Sequence, residues 1–165
     1  MPPDEFCARC DNSAYTNAAA AAALAGPARM SRLFRRDVTV SQKAWEDLSS
    51  QIWMPFDATE KVMLEYEGYD SGRTIKQADT ILLSYPLMYT QSKEDKTRMI
   101  EKYAAVTSLN GPAMTWAMFC ICAMEVDLLD RAMEYFSRCL LNCQMPFYVS
   151  NDGLIDMLMR PIQCH

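Results

Sequence analysis

Prolines and Gly-Pro pairs cut this chain at Gly26-Pro27, Pro55, Pro86, Gly111-Pro112 and Pro146. A proline lacks the amide hydrogen that a helix interior or central strand needs, so a regular element is expected to stop or bend at each point. Between the breaks the apolar residues recur at helical spacing. Residues 15–25 carry six successive alanines and strong helix propensity. Gly26-Pro27 should break or kink that helix, and the pattern resumes through Met30, Leu33 and Phe34. Ser41 is the expected N-cap of a helix striped by Ala44, Trp45, Leu48 and Ile52, ending at Pro55. Residues 56–73 read as one long loop. Ile75, Ala78, Leu82 and Tyr85 form the next stripe, stopped by Pro86. Ser92, followed by Glu94 and Asp95, starts a helix with Met99, Tyr103 and Val106 inward. Ala113 to Met124 is apolar all round and should be buried. Asp127 should start a last long helix through Leu128, Met133, Phe136, Leu140 and Cys143, ending near Pro146. Asn151-Asp152-Gly153 reads as a turn before a short helical piece.

The expected fold is therefore all-α: about six helices as antiparallel hairpins and no convincing strand. Val38-Thr39-Val40 and Phe147-Tyr148-Val149 are too short for a sheet. No repeat period marks a solenoid. A length of 165 residues fits one domain, and a net charge of −5 argues against a nucleic-acid or anionic-membrane partner. No apolar run reaches the ~20 residues of a membrane span, and the first residues lack the basic and apolar regions of a signal peptide. Seven cysteines, an odd count, suggest free thiols and a cytoplasmic, reducing compartment. Cys7-x-x-Cys10 is at most half a zinc site, and the sole histidine is His165, so neither a metal site nor a His-based triad is expected.

Four loop stretches go further. The first is Met1-Pro2-Pro3-Asp4-Glu5-Phe6 with Asp11-Asn12-Ser13-Ala14-Tyr15-Thr16-Asn17. The second is Glu65-Tyr66-Glu67-Gly68-Tyr69, running into Lys76-Gln77-Ala78-Asp79. The third is Ala105-Val106-Thr107-Ser108, then Gly111-Pro112-Ala113-Met114-Thr115-Trp116. The fourth is Pro146-Phe147-Tyr148-Val149, with Asp152 beyond it. Together and in this order they resemble the catalytic domain of glycoside hydrolase family 65, acid-trehalase-like branch. The resemblance implies part of an (α/α)6 barrel, whose roughly twelve helices of ~11–12 residues need well over ~200 residues. Residues 1–165 are then a single partial domain, the C-terminal half of that barrel. Its open edges should expose inward faces, including Leu82, Met99, Phe119 and Phe136, and favour self-association.

The resemblance also implies a reaction. Family hydrolases invert the anomeric centre, which needs a protonated carboxyl at the leaving oxygen and a second carboxylate that activates water on the other face. Glu5 falls on the general acid. Asp152 falls on the general base, one methylene shorter than the family's glutamate, with Ser150 where a tryptophan is usual. Each residue also has a plainer reading: Glu5 as an exposed terminal acid, Asp152 as a turn acid. Lys76 and Gln77 match a pair that contacts sugar hydroxyls; otherwise they are the solvent-facing first turn of a helix, where Asp79 pairs with Lys76. Trp116 and Tyr66 are further sugar contacts, or core aromatics. Phe6, Cys7 and Asp11 replace a tyrosine, a histidine and an asparagine, changing the polar groups beside the acid. The implied activity is release of glucose from a glucosyl-galactosyl unit on collagen hydroxylysine, without a cofactor and with little or no turnover by the fragment alone. A phosphorylase of the same family is set aside because residues 108–112 hold no histidine. The alternative is a catalytically dead binding or decoy module, or a partial gene product.

Overall fold

In this computed structural model the described residues are Asp4, Phe6, Cys7, 9–109, 113–141, 143, 144, 149 and 150. Six helices form among them: α1 (Ala14–Leu33), α2 (Val40–Ser49), α3 (Ile81–Ser84), α4 (Lys93–Val106), α5 (Ala113–Glu125) and α6 (Leu129–Cys139). Two short antiparallel ladders accompany them: β1 (Phe56–Asp57) with β2 (Val62–Met63), and β3 (Cys143–Gln144) with β4 (Val149–Ser150). The described residues are mostly helical, as expected, and do not by themselves close a barrel. None of the helices described is long and apolar enough to cross a membrane.

α1 starts where the Ser13 hydroxyl accepts the amide of Thr16. It runs through Gly26-Pro27 as one helix, contrary to the expected break. The carbonyl deprived of a partner by Pro27 belongs to Ala23, an exposed residue, so water can replace the lost bond. The end of α1 comes at Phe34. Arg35 turns left-handed (φ 53°), its amide bonds to the carbonyl of Arg32, and that of Arg36 to Ser31. This is a Schellman closure with arginine where glycine is usual. α2 is capped at Thr39, not Ser41, by a capping box: Thr39 Oγ1 accepts from Gln42 N, and Gln42 Oε1 from Thr39 N. α2 stops at Ser49, short of Pro55, and none of its residues is buried. It leans on α1 through Arg32, bound to both carboxylate oxygens of Glu46 at 2.5 and 2.6 Å.

The core lies between α3, α4, α5 and α6, with Ile75, Ile81, Leu83, Met99, Ile100, Tyr103 and Phe119 fully enclosed. α4 begins at Ser92 as expected, its hydroxyl accepting from Asp95 N. Asp127 does not start α6. It is the left-handed residue (φ 63°) that closes α5, with its own amide on Met124 O and that of Leu128 on Ala123 O. α6 therefore starts later and ends at Cys139. Trp116 stacks on Tyr135 between α5 and α6, with Phe119 tilted against both rings, and the Arg138 guanidinium sits 4.5 Å over the Trp116 ring. The stripe expected from Ile75 to Tyr85 is helical only at Ile81–Ser84. Ile75 instead bridges to Thr107: its amide bonds to Val106 O, and its carbonyl accepts from Ser108 N. Of the faces expected to lose cover, Met99 and Phe119 are sealed, whereas Phe136 is 52 % exposed on α6, and Leu129 and Met133 of that helix are exposed too.

Phe119→Ala should therefore cost about 3–5 kcal/mol, and Phe136→Ala no more than about 0.5 kcal/mol, in urea denaturation. Thr39→Ala should cost about 1 kcal/mol in the same assay.

Candidate active site

The first three of the four loop motifs meet at one place. Ala14 N donates to the carbonyl of Glu65, and Glu67 N to that of Asp11. Asn12 donates from its side chain to Glu67 Oε2 at 2.8 Å. Asn17 Nδ2 reaches the carbonyl of Trp53 at 2.8 Å. The Ile75–Thr107 bridge then brings the third motif beside the second.

At the centre are three carboxyl groups almost shut off from water: Asp4 (4 % exposed), Glu65 (2 %) and Asp79 (0 %). Each grips the backbone of the next segment. The Glu65 carboxyl accepts the amides of Asp79 (3.1 Å) and Thr80 (3.3 Å), with the Thr80 hydroxyl at 2.8 Å. Asp79 Oδ2 accepts the amide of Asp4 at 2.8 Å, and Oδ1 accepts Gln77 Nε2 at 3.3 Å. Asp4 Oδ1 accepts the amides of Phe6 (3.3 Å) and Lys76 (3.0 Å). The carbonyl of Asp4 also accepts from Cys7 N, and Arg73 donates to the carbonyl of Phe6 and to the Tyr66 hydroxyl. Peptide amides without water must find acceptors, and carboxylates are the strongest available.

Burial is the main cause of the charge state here. It pushes the Glu65 carboxyl up to about 8, aided by the charge on Asp79 and opposed by the Thr80 donors. Burial likewise raises Asp79 to about 6, against the pull of the Asp4 amide and Gln77. Burial thus favours the neutral form of both carboxyls over the ionised one. The rings of Tyr69 and Tyr103, whose hydroxyls are themselves driven upward by burial, complete the dry wall.

Glu5 and Asp152 lie outside the described residues. Lys76 and Gln77 are half-buried in the loop before α3, not on a first helical turn, and Asp79 binds Asp4 and Gln77. Tyr66 is linked to Phe6 through Arg73, which donates to the Tyr66 hydroxyl and the Phe6 carbonyl, and it meets Tyr69 edge-on at 5.4 Å. Trp116 does not join them. At 2 % exposure it lies within the α5–α6 aromatic cluster, as the core-aromatic alternative has it. A cleft of about 270 Å³ opens next to Gln77, lined by Tyr15, Leu82, Met114, Met118 and the buried Thr115, whose hydroxyl has no partner among the described residues. The larger groove, about 460 Å³ between α4 and α6, is lined by Arg131, Glu134 and Arg138, already paired with one another. Sequence reasoning missed Asp4, Glu65 and Arg73. The first two stood inside the quoted motifs, but nothing in a sequence separates a buried acid from a solvated one. Among the described residues no group of three or more His, Cys, Asp or Glu side chains is arranged to hold a metal ion.

A carboxyl whose pKa is higher folded than unfolded favours the fold at low pH. The contribution of Glu65 should be complete below its ordinary value of 4.5 and lost as pH rises toward about 8. The thermal midpoint should thus fall from about pH 5 to about pH 8, with Asp79 contributing over the lower part of that range. Glu65→Gln should flatten the slope in a pH series of calorimetric scans; an unaltered slope would place the titration elsewhere.

No family model matches the chain. Curated relatives do. Protein-glucosylgalactosylhydroxylysine glucosidase of Danio rerio is 39% identical over 153 residues, 93% of this chain and 23% of the relative. The protein of that name from Gallus gallus is 40% identical over 156 residues, 93% and 22%. A cell wall acid trehalase of Arthroderma benhamiae is 32% identical over 159 residues, 93% and 15%. The chain thus spans less than a quarter of the length of the curated relatives it matches. The kinship carried by the loop motifs is a sequence relationship along nearly the whole chain: it is related to one segment of the protein-glucosylgalactosylhydroxylysine glucosidases and acid trehalases, the acid-trehalase-like branch of glycoside hydrolase family 65.

Proposed function

We propose that the chain is the acid-bearing part of an inverting α-glucosidase that removes glucose from the glucosyl-galactosyl unit of collagen hydroxylysine. In this reading residues 1–165 are one partial domain, the C-terminal half of an (α/α)6 barrel. Glu5 gives its proton to the glycosidic oxygen. Asp152 stands at the position of the base, and an inverting pair needs the two carboxyls about 6.5–9.5 Å apart to admit water. Lys76 and Gln77 hold sugar hydroxyls, for which an ammonium and an amide supply both donors and an acceptor. Tyr66 lines the same side.

The observation that supports this reading is the grip of one buried group, Asp4, on both Phe6 and Lys76. It ties the neighbours of the acid to the first residue of the sugar-contact pair. The opposite wall of the site belongs to chain not included in these residues, so a sugar would meet one wall only. Losing several hydrogen bonds of about 0.5–1.5 kcal/mol each should leave millimolar affinity or worse. The isolated chain should therefore show no turnover and associate through exposed residues such as Phe136. A second reading, a catalytically dead binding module, draws on Asp152 being shorter than the family's base.

Exchanging this chain for the matching segment of the Danio rerio enzyme tests both. The chimera should release glucose from a glucosyl-galactosyl-hydroxylysine peptide as the β-anomer. Glu5→Gln should lower kcat by about 10²–10⁴-fold, and Asp152→Glu should raise it by restoring reach to water. Unchanged turnover in Glu5→Gln, or α-glucose as first product, would sink the assignment. A chimera that folds, binds the peptide and never turns over, with Asp152→Glu equally silent, would favour the dead module.

A further inference from the structure

Among the described residues, Asp4 and Phe6 are tied to distant parts of the chain through a short set of groups. Asp79 holds the Asp4 amide, the Asp4 side chain holds the amides of Phe6 and Lys76, and Arg73 holds the Phe6 carbonyl. Asp79 is itself fixed by its own amide on Glu65. We infer that Asp4 and Asp79 are positioning residues: a relay of carboxylates that ties Asp4 and Phe6, the neighbours of Glu5 in the chain, to Lys76. The inference rests on the glucosidase reading for its catalytic meaning, but the relay can be measured without it.

The chemistry of the relay explains why acids are used. A neutral acceptor serves one or two amides; a carboxylate has about four acceptor positions and can serve amides from two segments. Asp4 does so, taking one from its own loop and one seventy-two residues away. Asp79 uses one oxygen for Asp4 and the other for Gln77, so the side chain of the second sugar-contact residue is set by the same group. Desolvation makes each bond stronger and makes an amide left without its acceptor costly. Such bonds restrain the backbone of Asp4, Phe6 and Lys76, and a misplacement of about 1 Å at a reacting group can cost ~10²-fold in rate. Arg73, exposed, adds a bond on the far side but does not replace Asp4, because it meets a carbonyl and not the amides.

Two measurements test the relay. In the 165-residue chain, amide hydrogen exchange at Phe6 and Lys76 should be slow, and Asp4→Ala should accelerate both together by tenfold or more. The amide of Tyr103 in α4 should be unaffected and reports that the fold is kept. Asp4→Asn retains one acceptor oxygen and should restore most of the protection. In the chimera, Asp4→Ala should lower kcat by about 10²-fold with KM changed less than threefold, and Asp4→Asn should recover at least a tenth of the lost rate. A residue that only supports the fold would lower the active fraction and leave the kcat of the folded molecules intact. Phe6 and Lys76 exchanging as before in Asp4→Ala, or kcat per folded molecule unchanged, would overturn the inference. A parent chimera without activity would count against the glucosidase reading alone, and the exchange data would still decide the relay.

Discussion

Three carboxyl groups withdrawn from water hold together parts of the chain that share no regular element. Glu65 follows a two-residue ladder, Asp79 precedes a four-residue helix, and Asp4 belongs to no helix or strand. Ordinary secondary structure cannot join such segments, because each exposes amides with no periodic partner. Carboxylates solve this by accepting several amides each. The cost is desolvation, visible in the elevated pKa values of Glu65 and Asp79. The upward shifts favour the neutral form of Glu65 and Asp79 and so weaken the repulsion between them.

Two kinds of packing flank this polar centre. On one side α3, α4, α5 and α6 enclose an apolar core in which Phe119 and Tyr103 are fully covered. On the other, α1 and α2 form an arm held by a charged clasp between Arg32 and Glu46 and by the Ser31–Gln42 hydrogen bond, with no buried residue in α2. The site loops lie where the polar network meets the apolar block. Tyr103 shows the junction in one residue: its ring is in the core and its hydroxyl donates to the carbonyl of Met63 at 2.6 Å.

The helices were legible because their signals are periodic. α4 and α5 begin close to where Ser92 and Gly111-Pro112 announce them. Helix ends were read less well wherever the closing residue was not glycine. Arg35 and Asp127 both adopt left-handed backbone, and Asp127, with its carboxylate near Lys93, looks in sequence like a helix start. Pro27 misled for the opposite reason: a break was expected, but the lost hydrogen bond falls on an exposed turn. The site was legible as motifs but not as contacts. Lys76, Gln77 and Tyr66 do gather near Asp4, whereas Trp116 sits between Phe119 on its own helix and Tyr135 and Arg138, nineteen and twenty-two residues on in the chain. The burial of Asp4 was invisible, since it depends on groups more than seventy positions away.

The placing of the tryptophans has an optical consequence. Trp45 and Trp53 are about half exposed, while Trp116 is enclosed with a guanidinium on its ring. A water-borne quencher should extinguish the emission of the first two and leave a blue-shifted residue of signal. That remainder reports one event, the parting of α5 from α6, free of contributions from the arm or the site loops. The chain thus carries its own probe of core opening, without a label and far from the carboxylates.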